Sequence, residues 1–277
     1  MQTTVYDNNT LKTLADIVYE TSGIVFKDSN ITVLSSRLST KLKEKQISDI
    51  EYIELIKTDK NELMSFIDFV TTNFTSFFRQ TRQFEILYEE ILDELIEKNK
   101  AKKEIKIWSA GCSTGEEPYT IAMIVEEYFE SKKIDIASWN VRIIGSDISL
   151  ESLFTAKEGR FPDKSLQKVD ENFKNKYFIP VENDFIIKDN IKRMITFDYH
   201  NLIYDNGIRD VDVSFCRNVL IYFDEDIQKK VMDNISISMN DDGYLFIGHS
   251  ESLIGLYDGF KPINKNKGIV YVKSRKN

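Results

Sequence analysis

Cysteine and histidine are nearly absent from this 277-residue chain, which has two of each. Cys112 and Cys216 lie far apart and lack metal-ligand spacing, so no zinc site is expected. Each ends an apolar segment and reads as a buried, reduced thiol of a cytoplasmic protein. No apolar run approaches the roughly 18–20 residues that a membrane span requires. The opening MQTTVYDNNT has neither a basic n-region nor an apolar h-region, so neither a secretory signal nor membrane insertion is expected. Positive charge is also short: 37 Lys and Arg against 45 Asp and Glu leave a net charge of −8. Duplex nucleic acid calls for a broad basic surface, so it is not an expected partner. What is present is the composition of an ordinary soluble protein, 42% hydrophobic and 30% charged. The length suffices for one α/β core with a small additional domain, and a monomer is the default expectation.

Residues 1 to about 70 carry helical periodicity only. Leu11, Leu14, Ala15, Val18 and Tyr19 mark one helix, and Leu34, Leu38 and Leu42 a second starting near Asn30. Ile50, Ile53 and Ile56, then Leu63, Phe66, Ile67 and Val70, continue the pattern. From about residue 84 the texture changes. After a helix marked by Phe84, Leu87, Ile91 and Leu95, strands and helices alternate: strand 105–109, helix 115–131, strand 141–146, helix 149–157. A polar stretch of roughly 25 residues leads to Asp184–Phe197, read as a hairpin turning at Asp189-Asn190. Strand 211–216, helix 224–239, strand 244–248 and a strand near 268–272 complete the pattern. Such alternation predicts a mainly parallel sheet with helices on both faces.

The first strand runs into Ser109-Ala110-Gly111-Cys112-Ser113-Thr114-Gly115, and Glu116-Glu117-Pro118 opens the next helix. No lysine follows Gly115, which excludes a P-loop, and Gly-x-x-x-Gly is not the Gly-x-Gly-x-x-Gly of dinucleotide folds. Two carboxylates suit a helix N-terminus but repel a pyrophosphate placed there. A phosphate-free cofactor with a cationic centre, S-adenosylmethionine, fits better. The second strand ends at Asp147, where an acid can accept hydrogen bonds from ribose hydroxyls.

Five ordered motifs make the reading specific: Thr71–Arg79 (TTNFTSFFR), Trp108–Tyr119, Gly145-Ser146-Asp147, Cys216–Phe223 (CRNVLIYF) and Gly248-His249-Ser250-Glu251. Together they closely resemble the chemotaxis receptor methyltransferase family of the CheR type, densely from 71 to 255 and weakly over the first 60 residues. The resemblance implies a Rossmann-like S-adenosylmethionine-dependent methyltransferase sheet, a small antiparallel β insertion and an all-α N-terminal domain. The corresponding division is a helical substrate-recognition domain over 1–70, a linker contacting the cofactor over 71–83, and a methyltransferase domain over 84–277 with its insertion at about 176–197. It also implies a reaction, methylation of glutamate side chains on the cytoplasmic domain of methyl-accepting chemotaxis receptors. By position, Asn73, Thr75 and Arg79 match the segment over the cofactor, Glu117 the acid near its amino-acid end, and Asp147 the ribose acid. Asn201 and Leu202 match a pair beside the adenine. Asn218 and Val219 match a pair after the fourth strand, and Tyr222 the residue near the methyl. Arg79 and Tyr222 are the catalytic candidates. Glu116 should point elsewhere on its helix as a first-turn charge. Phe74, Phe77 and Phe78 read as core packing, and His200 and His249 as structural or peripheral.

Arg37, Lys41 and Lys45 recur four residues apart on the second helix and form a basic ridge suited to an acidic helical substrate. The segment Tyr177–Phe185 lacks the glycine-containing extension with which some family members hold a receptor tail, which favours a tether-independent enzyme. Two other functions remain open: the same fold acting on another carboxylate acceptor, and a non-catalytic receptor-docking protein.

Overall fold

The structure, a computed structural model, describes residues 8–27, 31–71 and 74–274. Among these residues no helix is long and apolar enough to cross a membrane.

The helical periodicity of the first 70 residues resolves into α1 (Asn8–Ser22), α2 (Ile31–Lys45), α3 (Asp49–Thr58) and α4 (Lys60–Val70). Leu11, Leu14 and Val18 of α1, Leu34 and Leu38 of α2, Tyr52, Ile53 and Ile56 of α3 and Phe66, Ile67 and Val70 of α4 make their core. Ile50, counted as apolar periodicity, is instead 71% exposed beside the α3 N-terminus. Ser48 starts α3 with a reciprocal capping box to Glu51, and Asp59 caps α4 through the amides of Asn61 and Glu62. The chain divides into two compact units, and the segment Ile221–Gln228 belongs to this helical one. Within it, the Val25 amide donates to the Tyr222 carbonyl at 2.9 Å.

The second unit begins with a helix of three parts: α5 (Thr81–Ile86), a π turn (Leu87–Ile91) and α6 (Leu92–Asn99). Then follow β1 (Glu104–Ala110), α7 (Glu116–Ser131), β2 (Asn140–Asp147), α8 (Leu150–Glu158), β3 (Arg160–Pro162), α9 (Glu171–Tyr177), β4 (Phe178–Val181) and β5 (Asp184–Ile187). The remaining elements are α10 (Asp189–Lys192), β6 (Ile195–Tyr199), β7 (Val211–Cys216), α11 (Glu225–Ser238, in this unit from Lys229 onward), β8 (Met239–Ile247), β9 (Phe260–Lys265) and β10 (Gly268–Lys273). Seven strands form one sheet in the order β6-β2-β1-β7-β8-β10-β9. The first five are mutually parallel, and β10 runs antiparallel to both its neighbours. Every residue of β7, at the sheet's centre, is buried. Its one charged side chain, Asp212, accepts from the Lys106 amide and from Asn240 Nδ2, both at 3.0 Å, so it is not left unsatisfied.

Two sequence expectations are corrected here. Asp189-Asn190 is not a hairpin turn but the start of the short helix α10, because Ile187 and Ile191 are four apart and both enter the core. The chain then continues into β6, which joins the main sheet parallel to β2. The small antiparallel sheet is accordingly β3-β5-β4, with its third strand from 160–162 and none from 195–197. Its β4–β5 hairpin closes through the two residues Glu182 and Asn183, Val181 facing Asp184.

Candidate cofactor and active site

The strand order fixes where a ligand can sit. From β1 the chain builds outward through β2 to β6, then returns to place β7 on the other side of β1. That reversal opens a crevice at the carboxyl ends of β1 and β7, the usual ligand position in a doubly wound sheet. Since β1, β2, β6, β7 and β8 are parallel, the residues at or just after their carboxyl ends share one edge: Gly111, Asp147, Asn201 and Leu202, Arg217 to Val219, and Gly248. Motifs spread over more than a hundred residues of sequence thereby converge.

Local geometry makes each turn. Gly111 has φ +80°, and a Cβ there would lie 2.5 Å from Val219 Cγ2, so the first turn and the β7 turn approach too closely for any side chain. The Gly111 and Cys112 amides both donate to the Ser146 carbonyl, at 2.8 and 2.9 Å, tying the turn to β2. Asp147 is buried; its carboxylate accepts from the Ser113 amide at 2.7 Å and the Ser149 amide at 2.9 Å. The Asp147 carbonyl accepts from the His200 amide at 2.9 Å, which links β2 to the turn after β6. In that turn Asn201 Oδ1 accepts from the Ile203 amide at 3.3 Å, and the buried Leu202 accepts at its carbonyl from Asn234 Nδ2 at 2.9 Å. His200 donates from Nε2 to the Tyr204 carbonyl at 2.8 Å and accepts at Nδ1 from Asn206 at 3.1 Å. Its ring lies beside Trp108, and burial lowers its pKa, so it is a neutral structural histidine. Asn218 adopts φ +60°, and its amide donates to Glu251 Oε2 at 2.9 Å. A Cβ on Gly248 would lie 2.6 Å from that same oxygen.

The two glutamates of the turn differ in their surroundings. Glu116 points away and is buried; Thr114 Oγ1 donates to it at 2.6 Å, and burial raises its pKa. Glu117 accepts from Ser109 Oγ at 2.7 Å and forms an ion pair with Arg217 at 3.0 Å. Arg217 was overlooked in the sequence, although it stands at the end of a fully buried strand, where a lone cation requires a partner. Its second nitrogen donates to the Arg79 carbonyl and, at 3.0 Å, to Gln80 Oε1. Its guanidinium lies 5.0 Å from the centroid of Phe84, the first of three stacked rings continuing through Phe215 and Phe246. Burial lowers the Arg217 pKa, with Glu117 opposing.

Arg217 thus anchors the strap that carries Arg79. The strap takes an unusual course, with φ +53° at Phe78 and +60° at Gln80. The Phe78 amide is held by Thr120 Oγ1 of α7 at 3.2 Å. Arg79 itself is half-exposed; Nη1 donates to the Phe74 carbonyl at 2.9 Å and the head lies over the Phe74 ring. It has no carboxylate partner among the described residues. Phe77 is in the core and Phe78 packs against it, but Phe74, expected there too, is 72% exposed and serves as the platform for Arg79. Thr75 is half-buried in the strap, and Asn73 lies outside the described residues.

In the helical unit, Tyr222 is half-buried. The basic ridge is only partly free. Arg37 and Lys41 lie over the Phe69 ring of α4 at 4.6 and 5.1 Å, and Lys45 is paired with Glu62 at 2.7 Å. Among the described residues no group of three or more His, Cys, Asp or Glu could hold a metal ion.

A switch-point crevice lined by an acid at the β2 tip and a glycine turn without a phosphate-binding lysine defines the fold of an S-adenosylmethionine-dependent methyltransferase. Residues 73–269 match the CheR methyltransferase SAM binding domain, and residues 9–71 the CheR methyltransferase all-alpha domain. The chain belongs to the CheR methyltransferase family. A chemotaxis protein methyltransferase of Borreliella burgdorferi is 38% identical over 253 residues, covering 88% of this chain and 88% of that protein. One from Vibrio anguillarum is 37% identical, covering 90% of this chain and 91% of its own. Chemotaxis protein methyltransferase 1 of Vibrio cholerae is 35% identical with the same two coverages, 90% and 91%.

The residues at the sheet edge fit S-adenosylmethionine. The buried Asn218 Oδ1 has no hydrogen-bond partner among the described residues, an acceptor available to a donor on the ligand. Asp147 is already positioned at the strand tip by two amides.

Proposed function

We propose that this enzyme methylates glutamate side-chain carboxylates on the cytoplasmic domains of chemotaxis receptors, forming methyl esters during sensory adaptation, and that it acts in the cytoplasm as a monomer. The observation that carries the reading is Arg79: a guanidinium free of any carboxylate among the described residues, on a strap fixed by Arg217 and Thr120. An arginine so held can take a carboxylate through two hydrogen bonds and set its direction.

Bound S-adenosylmethionine supplies an electrophilic methyl group on a sulfonium. Asp147 would hold the ribose hydroxyls, and Asn201 and Leu202 the adenine edge. Glu117, Asn218 and Val219 would line the remainder, with Asn73 and Thr75 closing over it. Tyr222, assigned from its sequence motif, would place one hydroxyl near the reacting carboxylate. A glutamate has an unperturbed pKa of about 4.3 and is ionised before it arrives, so no general base is needed. The protein's work is alignment and removal of the carboxylate's water. Arg37 and Lys41, with Lys45 partly neutralised by Glu62, would steer an acidic helical substrate.

Incubation with methyl-labelled cofactor and a receptor cytoplasmic fragment should place base-labile label on the fragment's glutamates. Label on small carboxylic acids but none on receptor would overturn the assignment. For the cofactor, Asp147→Ala should weaken S-adenosylmethionine by about tenfold or more in a direct titration, the worth of a hydrogen bond to a charged acceptor. Unchanged affinity would remove Asp147 from the ribose role.

A further inference from the structure

An open cavity of about 440 Å³ lies against the strap at Phe78, bounded by α5, the π turn, α7 and the start of α9. None of the residues assigned above to the cofactor or the reaction lines it. Its volume falls within the range of small-molecule sites. Phe78, Phe84, Tyr88 and Phe173 supply the walls. Phe78 meets Phe173 at 5.2 Å and 85°, and Phe84 at 6.3 Å and 74°, so the rings enclose a corner rather than form a flat slab. Tyr88 comes from the π turn, a feature that often accompanies functional sites.

The mouth is acidic. Glu85, Glu89, Glu127 and Asp170 line it, with Lys168 as the one lining base. Neighbouring lysines do not cancel these charges. Lys267 is shared between Glu85 at 3.1 Å and Glu89 at 2.7 Å. Lys176 is shared between Glu127, at 2.6 Å, and Glu130. Each of these lysines answers one of the two carboxylates it touches, and with Lys168 set against Asp170 the surroundings as a whole keep a net negative charge.

Aromatic rings beside a net-negative lining are the combination that recognises a cation with an apolar body, through ring quadrupoles and long-range attraction together. We propose that this cavity binds a small organic ammonium ion. Such a ligand would rest on Phe78, whose next residue is Arg79, and so would touch the strap that carries the guanidinium.

The test compares choline with its neutral isostere 3,3-dimethyl-1-butanol, each titrated into the full chain and followed by NMR of the aromatic rings. Choline should shift Phe78, Tyr88 and Phe173 and bind about fivefold or more tighter than the alcohol. Phe173→Leu keeps apolar volume but removes a ring, and should weaken choline by about fivefold while leaving the alcohol unchanged. Glu89→Gln, at a half-exposed position that folding tolerates, should weaken choline alone by about two- to threefold. Equal affinity for the two probes would reduce the cavity to a hydrophobic hollow and overturn the proposal. So would choline shifts confined to other residues, or no choline shifts at all.

Discussion

Arg217→Met should destabilise the methyltransferase unit by about 3–5 kcal/mol, the cost of breaking a buried ion pair from one side. The Arg217 side chain is 2% exposed and that of Glu117 13%, so water cannot replace the lost partner. Without the guanidinium, Ser109 Oγ still donates to the Glu117 carboxylate but leaves its charge unanswered. The Arg79 carbonyl and the Gln80 side chain lose their donor in the same step. Methionine retains apolar volume against Phe84, so the loss reports charge rather than a cavity. Urea denaturation measures it. The double variant Glu117→Gln with Arg217→Met should recover half or more of the stability, because it removes the stranded charge. A single-variant loss below about 1 kcal/mol would mean that the pair behaves as an exposed one.

That pair also shows where sequence reading stops. The turn from Ile105 to Thr120 was legible because strand alternation, glycine turn and helix periodicity are local patterns. The Glu117–Arg217 contact spans a separation of 100 residues, and only the switch point between β1 and β7 creates it. The helix at Asp189 was mistaken for a hairpin because Asp184–Phe197 is too short for period two and period 3.6 to be separated, while Ile187 and Ile191 carried the helical spacing unnoticed. Strand β9 was missed because Pro262 interrupts its sequence; as the outermost strand, it has no partner beyond it to be denied a hydrogen bond. Lys45 looked free because Glu62, its partner, lies on another helix. Glu116 and Glu117 are adjacent and alike in sequence, yet burial makes one a raised-pKa acid and an arginine makes the other an ion pair.

Arg79→Ala should lower kcat by about hundredfold while S-adenosylmethionine affinity, read by calorimetry, changes by less than about threefold. The asymmetry follows from what the side chain holds in the free protein. Among the described residues its head has only the Phe74 carbonyl and ring as partners, so it is not needed to keep the sheet edge in shape. Its carbonyl, which Arg217 grips, survives the substitution. What disappears is the fork that aligns an incoming carboxylate, and misalignment at the reacting atoms costs rate more than affinity. Arg79→Lys should fall between the two, since an ammonium attracts a carboxylate but cannot fix its plane. Methyl transfer also discharges sulfonium and carboxylate together, so an arginine that gripped the carboxylate tightly would stabilise the ground state over the transition state. The half-exposed position of Arg79, in contrast to the buried Arg217, suits guidance over tight binding. The kcat profile of wild type should accordingly be flat from about pH 6.5 to 8.5, because a glutamate nucleophile is ionised well below that range and no histidine is assigned to the step. Equal losses in kcat and cofactor affinity for Arg79→Ala would show that the residue merely retains the cofactor, and would return the question of what orients the carboxylate to Tyr222.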